Sequence, residues 1–200
     1  MGKEAQILPE ATTDRIDNIL DQIVLKFLLE QESNGFKASI CLPFAFDTGL
    51  SLLNLPGLTE QDYREYLATV IDMFPEPDYM TIVMAYELMA IFQILKSKGL
   101  NGSHNLVDLY AEDNFLLTDF DPTEKQQILI IPTKEQRSLH AVSFAGRLPD
   151  GRIIVFDLHS AFTNQEINIR GVNIYSIDEL TQLIQQSSRP GYLITIKPEL

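Results

Sequence analysis

Three side chains in this sequence are of the types that together build a thiol nucleophile: the single cysteine Cys41, the histidine His140 and the aspartate Asp157. A thiol attacks a carbonyl carbon once a base has taken its proton, and a carboxylate fixes the tautomer and orientation of that base. Cys41 opens the run Cys-Leu-Pro-Phe-Ala-Phe-Asp, which is helical in type. Pro43 falls in the first turn, where its missing N–H has no helical partner to lose. A sulfur at a helix N-terminus sits at the positive end of the dipole, where a thiolate is favoured. The plainer alternative is a small buried hydrophobe at a helix start, because unpaired cysteines are among the most buried residues.

The other two groups lie in Leu139 to Ser160, which reads as two strands joined by a Pro-Asp-Gly loop. His140 begins an apolar strand, where a polar side chain is costly without a partner. Side chains alternate along strands, so His140, Val142 and Phe144 share one face, and Ile153, Val155 and Asp157 share one face of the next strand. Asp157 stands directly opposite His140 if the loop spans Gly146 to Gly151. A two-residue Asp150-Gly151 hairpin pairs it with Phe144 instead. Glycines at both ends of the wider loop favour that loop, since they permit positive φ. His159 has the parity of Asp157 and is the competing histidine.

These residues need a frame. Apolar positions at a 3.6 period, with Thr13 as N-cap, predict a helix over Asp14–Gln31. A helix follows Cys41, and Pro56-Gly57 ends it. Thr59 with Asp62 resembles a capping arrangement for a helix to Phe74. Asp78 heads a long helix to about Lys98, stopped by Gly99. The methionines along it are read as core. Residues 100–123 are polar and acidic, are expected to be irregular, and lack the spacing of a calcium loop; His104 falls among them. From Gln127 the period changes to that of strands, over ILIIP, LHAVSFAG and RIIVFDL, with another near Asn168–Ile174. Ser176 caps a helix over Ile177–Gln185, and Tyr192–Ile196 is a final strand. Helices first and a mostly antiparallel sheet second make an α+β layout. Residues 1–12 are expected to be a flexible arm and residues 13–200 a single domain.

Composition narrows the functional classes. The net charge is −13, with 45% apolar and 22% charged residues. Such a surface disfavours nucleic acid, whose binding needs clustered Lys and Arg. One cysteine allows no internal disulfide, and three scattered histidines form no zinc motif, so neither metal nor cofactor is expected. No Sec signal and no membrane span are visible, which points to a cytoplasmic protein or one exported by another route.

The order of these parts resembles the papain-like cysteine peptidase fold, and within it the C39-like peptidases. That family's nucleophile motif reads roughly Cys-Gly-Pro-Ala-Ala-Leu; here Cys41-Leu42-Pro43-Phe44-Ala45-Phe46 matches it at the cysteine, the proline and one alanine. The family's histidine strand, acidic-glycine turn and strand ending in aspartate correspond to His140-Ala141-Val142, Asp150-Gly151 and Val155-Phe156-Asp157. The run Tyr175-Ser176-Ile177-Asp178-Glu179-Leu180 is similar to the strand and helix that follow in that family. The resemblance covers roughly residues 35–197. It implies N-terminal helices, with the nucleophile heading one of them, packed on the sheet. It implies a Cys41–His140–Asp157 triad acting on a protein or peptide substrate as a peptidase or isopeptidase; deamidation and acyl transfer use the same chemistry. Leu42 stands where the family has glycine, which predicts a narrower cleft. The family's oxyanion glutamine position falls at Gly35, so Asn34 beside it is the candidate donor. These departures favour the alternative, a catalytically inactive papain-like module that binds protein.

Overall fold

The computed structural model describes residues 8, 10–33, 40–73, 80–100, 106–108, 126–132, 139–158, 170–185 and 192–196. The first helical unit starts at Glu10 rather than beyond Thr13. It runs as α1 (Glu10–Asn18), a π-helical segment (Ile19–Val24) and α2 (Leu25–Ser33). Leu8 and Thr12 are already buried, so these parts of the expected arm belong to the fold. The apolar residues that predicted this helix do face the core: Ile16, Ile19, Leu20, Val24 and Phe27 are all buried. The widened π turn departs from the 3.6 period and keeps Ile19, Leu20 and Val24 inside together.

Helix α3 (Cys41–Leu52) is the central element, with every residue from Cys41 to Ser51 buried. It packs on α1 on one side and on the sheet on the other. A helix apolar all round is what such a position requires. Its one charged residue, Asp47, is fully buried. The Asp47 carboxylate accepts the Leu58 N–H at 2.9 Å and the Tyr63 hydroxyl at 3.2 Å. Arg15 of α1 lies beside it and donates to the Leu55 carbonyl at 3.2 Å. These bonds join α3 to α1, to the 55–58 connection and to α4 (Glu60–Met73).

Helix α4 begins with the expected capping arrangement. The Thr59 N–H and hydroxyl both donate to Asp62 Oδ2, at 2.5 and 2.6 Å, and the Asp62 N–H returns to Thr59 Oγ1 at 3.3 Å. Lys98 pairs with the same carboxylate at 2.6 Å, tying α4 to the C-terminal end of α5 (Met80–Ser97). Asp78 lies outside the described residues.

Six described strands form one sheet: β1 (Leu106–Asp108), β2 (Gln126–Pro132), β3 (Leu139–Arg147), β4 (Ile153–Phe156), β5 (Val172–Tyr175) and β6 (Tyr192–Ile196). Their order is β1-β6-β2-β3-β4-β5, and every pairing is antiparallel. Strand β1 corrects the expectation of an irregular stretch. Three residues are too few to show a period, and pairing with β6 rather than local propensity makes them a strand. Residues 101–105 and 109–123, His104 among them, lie outside the described residues.

The two sheet faces have separate cores. Ala141, Ala145, Ile128, Ile130, Ile154, Phe156 and Ile194 join the helical core around α3. Leu129, Ile131, Val142, Phe144, Ile153 and Val155 pack with Leu180 of α6 (Ile177–Gln185). Ser176 caps helix α6, as expected, and Glu179 makes the cap reciprocal: the Ser176 N–H donates to Glu179 Oε2 at 2.6 Å, and the Glu179 N–H to Ser176 Oγ at 3.1 Å. The layout is α+β.

Candidate active site

Cys41 is the first residue of α3, after Ile40 as N-cap. Phe44 donates back to the Ile40 carbonyl at 3.1 Å, which closes the first turn. The Cys41 Sγ accepts the Ala141 N–H at 3.4 Å across 100 residues of sequence. Unequal strand length explains this contact. Strand β4 ends at Phe156, opposite Ser143, whereas β3 runs on to Leu139. The Ala141 N–H therefore projects past the end of β4, and the thiol occupies the vacated position.

The same overhang holds the other two groups. His140 Nε2 and Asp157 Oδ1 are 2.5 Å apart. The His140 side chain is 20% exposed, and Asp157 is buried. The imidazole also hydrogen-bonds the Cys41 thiol. With Nε2 taken by Asp157, Nδ1 is the nitrogen left for sulfur. Burial opposes a charge on this ring, but the Asp157 carboxylate and the thiol outweigh it and raise the His140 pKa to about 10. The folded state thus holds this proton more tightly than the unfolded chain. The resulting stabilisation is complete below about 6.5. It is lost as the pH rises through about 10.

A bulge in β3 brings His140 and Asp157 to one face. Arg147 and Gly146 stand opposite Ile153 and Ile154, but Phe144 and Ser143 stand opposite Val155 and Phe156. Ala145 is the extra residue. Without it the register would set Asp157 against Ser143, on the face turned towards α3 and away from His140. A one-residue shift reverses every side chain beyond it. The shifted register puts Asp157 level with Val142, one diagonal step from His140 and within reach of a long side chain. The directly opposed arrangement expected from a loop over Gly146 to Gly151 is therefore corrected. Strand β3 continues to Arg147, and the turn is closed by Leu148 N–H to the Arg152 carbonyl at 2.8 Å and Gly151 N–H to the Leu148 carbonyl at 2.9 Å.

Gly146 has φ +155°, which other residues rarely adopt, and nothing lies within 4 Å of a Cβ built there. Replacement by valine therefore meets backbone strain rather than a clash at Cβ. Gly146→Val is expected to lose about 1–3 kcal/mol of stability, or to relax by sliding the register and return His140 titration to about 6.5. A urea melt and NMR titration of the imidazole check this. A variant unaltered in both would show that the bulge does not direct Asp157.

Sequence reasoning missed Asn173 of β5. Its Nδ2 donates to Asp157 Oδ2 at 3.2 Å and to the Tyr175 hydroxyl at 3.2 Å, while the Asp157 N–H donates to the Gly171 carbonyl at 2.8 Å. Both carboxylate oxygens are thus held. A polar residue within a short apolar strand was the available signal. Tyr66 of α4 was also missed; it is fully buried, close enough to Cys41 to feel its charge, and bonded to Glu87 of α5. Leu42 is packed into the main core. Asn34, the candidate oxyanion donor, and His159 lie outside the described residues. Among the described residues, no group of three or more His, Cys, Asp or Glu side chains could hold a metal ion, and no helix is long and apolar enough to cross a membrane. No family model, curated protein or solved structure matches this chain.

Proposed function

We propose that the protein is a cysteine-dependent hydrolase of papain-like type, acting on a peptide or isopeptide bond. The observation that carries this reading is the His140 imidazole, bonded at once to the Asp157 carboxylate and the Cys41 thiol. In the Cys41–His140 pair the proton rests on the imidazole, and the sulfur attacks the carbonyl carbon. The carbonyl π electrons move to oxygen, and the N–H groups of the first turn of α3 would receive that charge. When the C–N bond breaks, the imidazolium protonates the leaving amine. Water, deprotonated by the same ring, then hydrolyses the thioester and releases the thiol. Asp157, steadied by Asn173, holds the imidazole in the tautomer that serves both transfers.

A peptide carrying a thiol-directed electrophile is expected to add once, at Cys41, as read by intact mass and peptide mapping. The adduct should be absent from Cys41→Ser. A second reading, a papain-like module that binds protein without catalysis, is favoured by the burial of Cys41, a residue only 7% exposed. Failure of the native, folded protein to form the adduct would make that second reading the better one.

A further inference from the structure

Asp157 stands one residue past the end of β4, where a strand is most prone to fray. Its carboxylate is engaged at both oxygens, by His140 and by Asn173, and its N–H donates to the Gly171 carbonyl at 2.8 Å. That last bond extends the pairing of β4 with β5 one step beyond Phe156 and Val172. Gly171 has φ +78°, a left-handed conformation that glycine adopts without steric cost, and Arg170 precedes it in the same turn. The Arg170 guanidinium donates to Asp21 Oδ1 in the π-helical segment Ile19–Val24. Ile19, Leu20 and Val24 of that segment are buried, while Asp21 faces out. Asp17, one turn earlier, lies within the field of the same guanidinium. An ion pair across 149 residues of sequence therefore ends one residue from the carbonyl that holds Asp157.

We propose that Arg170 is a positioning residue: its ion pair with Asp21 fixes the Arg170–Gly171 turn on the first helical unit, and the Gly171 carbonyl thereby fixes Asp157 against His140. The proposal rests on the thiol-hydrolase reading, in which Asp157 must keep the imidazole in one orientation. Arg170 is 35% exposed and Asp21 57%, so the pair contributes little to global stability. Its effect is local. Asp157 reaches His140 diagonally across the bulged register, and a misplacement of about 1 Å at such a group is enough to slow a reaction substantially. Asn173 still grips Oδ2, so loss of the pair loosens Asp157 without releasing it.

Amide exchange and imidazole titration, both read by NMR on the full chain, test this. In Arg170→Asp, which sets a like charge against Asp21 and Asp17, the Asp157 amide is expected to exchange roughly 10-fold faster. The Leu129 and Val142 amides, paired at the centre of the sheet, should keep their native rates. The His140 imidazole should titrate lower than in the native protein. Arg170→Gln removes the charge without adding a repulsion, and should show both changes in smaller measure even where the reversal prevents folding. The swap of Arg170→Asp with Asp21→Arg should restore both, which a role confined to packing would not allow. Native exchange at Asp157 and native titration of His140 in the single variants would overturn the proposal. So would equal acceleration at all three amides, the mark of a general loss of stability, or a swap that restores neither property. Failure of a peptide electrophile to label Cys41 in the native protein would remove the thiol reading, whereas exchange and titration still decide whether Arg170 positions Asp157.

Discussion

Alkylation of Cys41 by iodoacetamide at pH 6 is expected to fall by on the order of 10²-fold in His140→Ala. Sulfur beside an imidazolium reacts well below the pH range of an isolated thiol, whose pKa is about 8.5. Asp157 and the sulfur raise the His140 pKa to about 10, which favours the imidazolium at neutral and acid pH. The native rate should therefore stay high to low pH, and the variant rate should climb only as the pH nears that of an ordinary thiol. Asp157→Asn should lie between the two, since an amide can orient the ring but cannot stabilise its charge. Equal profiles for native protein and His140→Ala would show that the imidazole bonds the thiol without activating it.

The second large effect concerns stability. Gly57→Ala is expected to cost about 3–5 kcal/mol, read as a lower urea midpoint at unchanged slope. A Cβ at position 57 would lie 2.2 Å from Asp47 Oδ1 and 2.3 Å from Arg15 Nη2. Arg15 can withdraw along its flexible stem, but Asp47 cannot. The result is a buried carboxylate that has lost its cation and strains its bond to the Leu58 N–H. A loss below 1 kcal/mol would show that the 55–58 connection yields easily. The same carboxylate sets a pH dependence. Burial raises the Asp47 pKa to about 6, so between about 4 and 6 the folded state holds a proton that the unfolded chain releases. Stability from this group therefore falls as the pH rises through that window, by on the order of 3 kcal/mol in total. Asp47→Asn should remove that slope.

Much of the frame was legible in the sequence because its signals are local. Thr59 with Asp62, and Ser176, place two helix starts within a few residues of chain, and the structure keeps both caps. Apolar alternation identified β2, β3 and β4, and Cys41-Leu-Pro placed the thiol at the head of a helix. Types alone identified the three groups that the structure brings together, since a cysteine at a helix start, a histidine in an apolar strand and an aspartate at a strand end each need a partner. Their meeting could not be read in the same way. It depends on Ala145 being an extra residue in β3, a one-residue shift that alternation does not reveal because either register buries one complete face. Asn173 and Tyr66 reach the site from β5 and α4, elements whose own patterns encode only burial. Strand β1 exists through pairing with β6, more than 80 residues further along the chain. The sequence by itself thus determined the candidate chemistry and most of the elements, because propensity, capping and alternation act over a few residues. The tertiary structure alone decided which face Asp157 occupies, what stands behind Cys41 and how β3 overhangs β4, because those depend on register and packing between segments far apart in the chain.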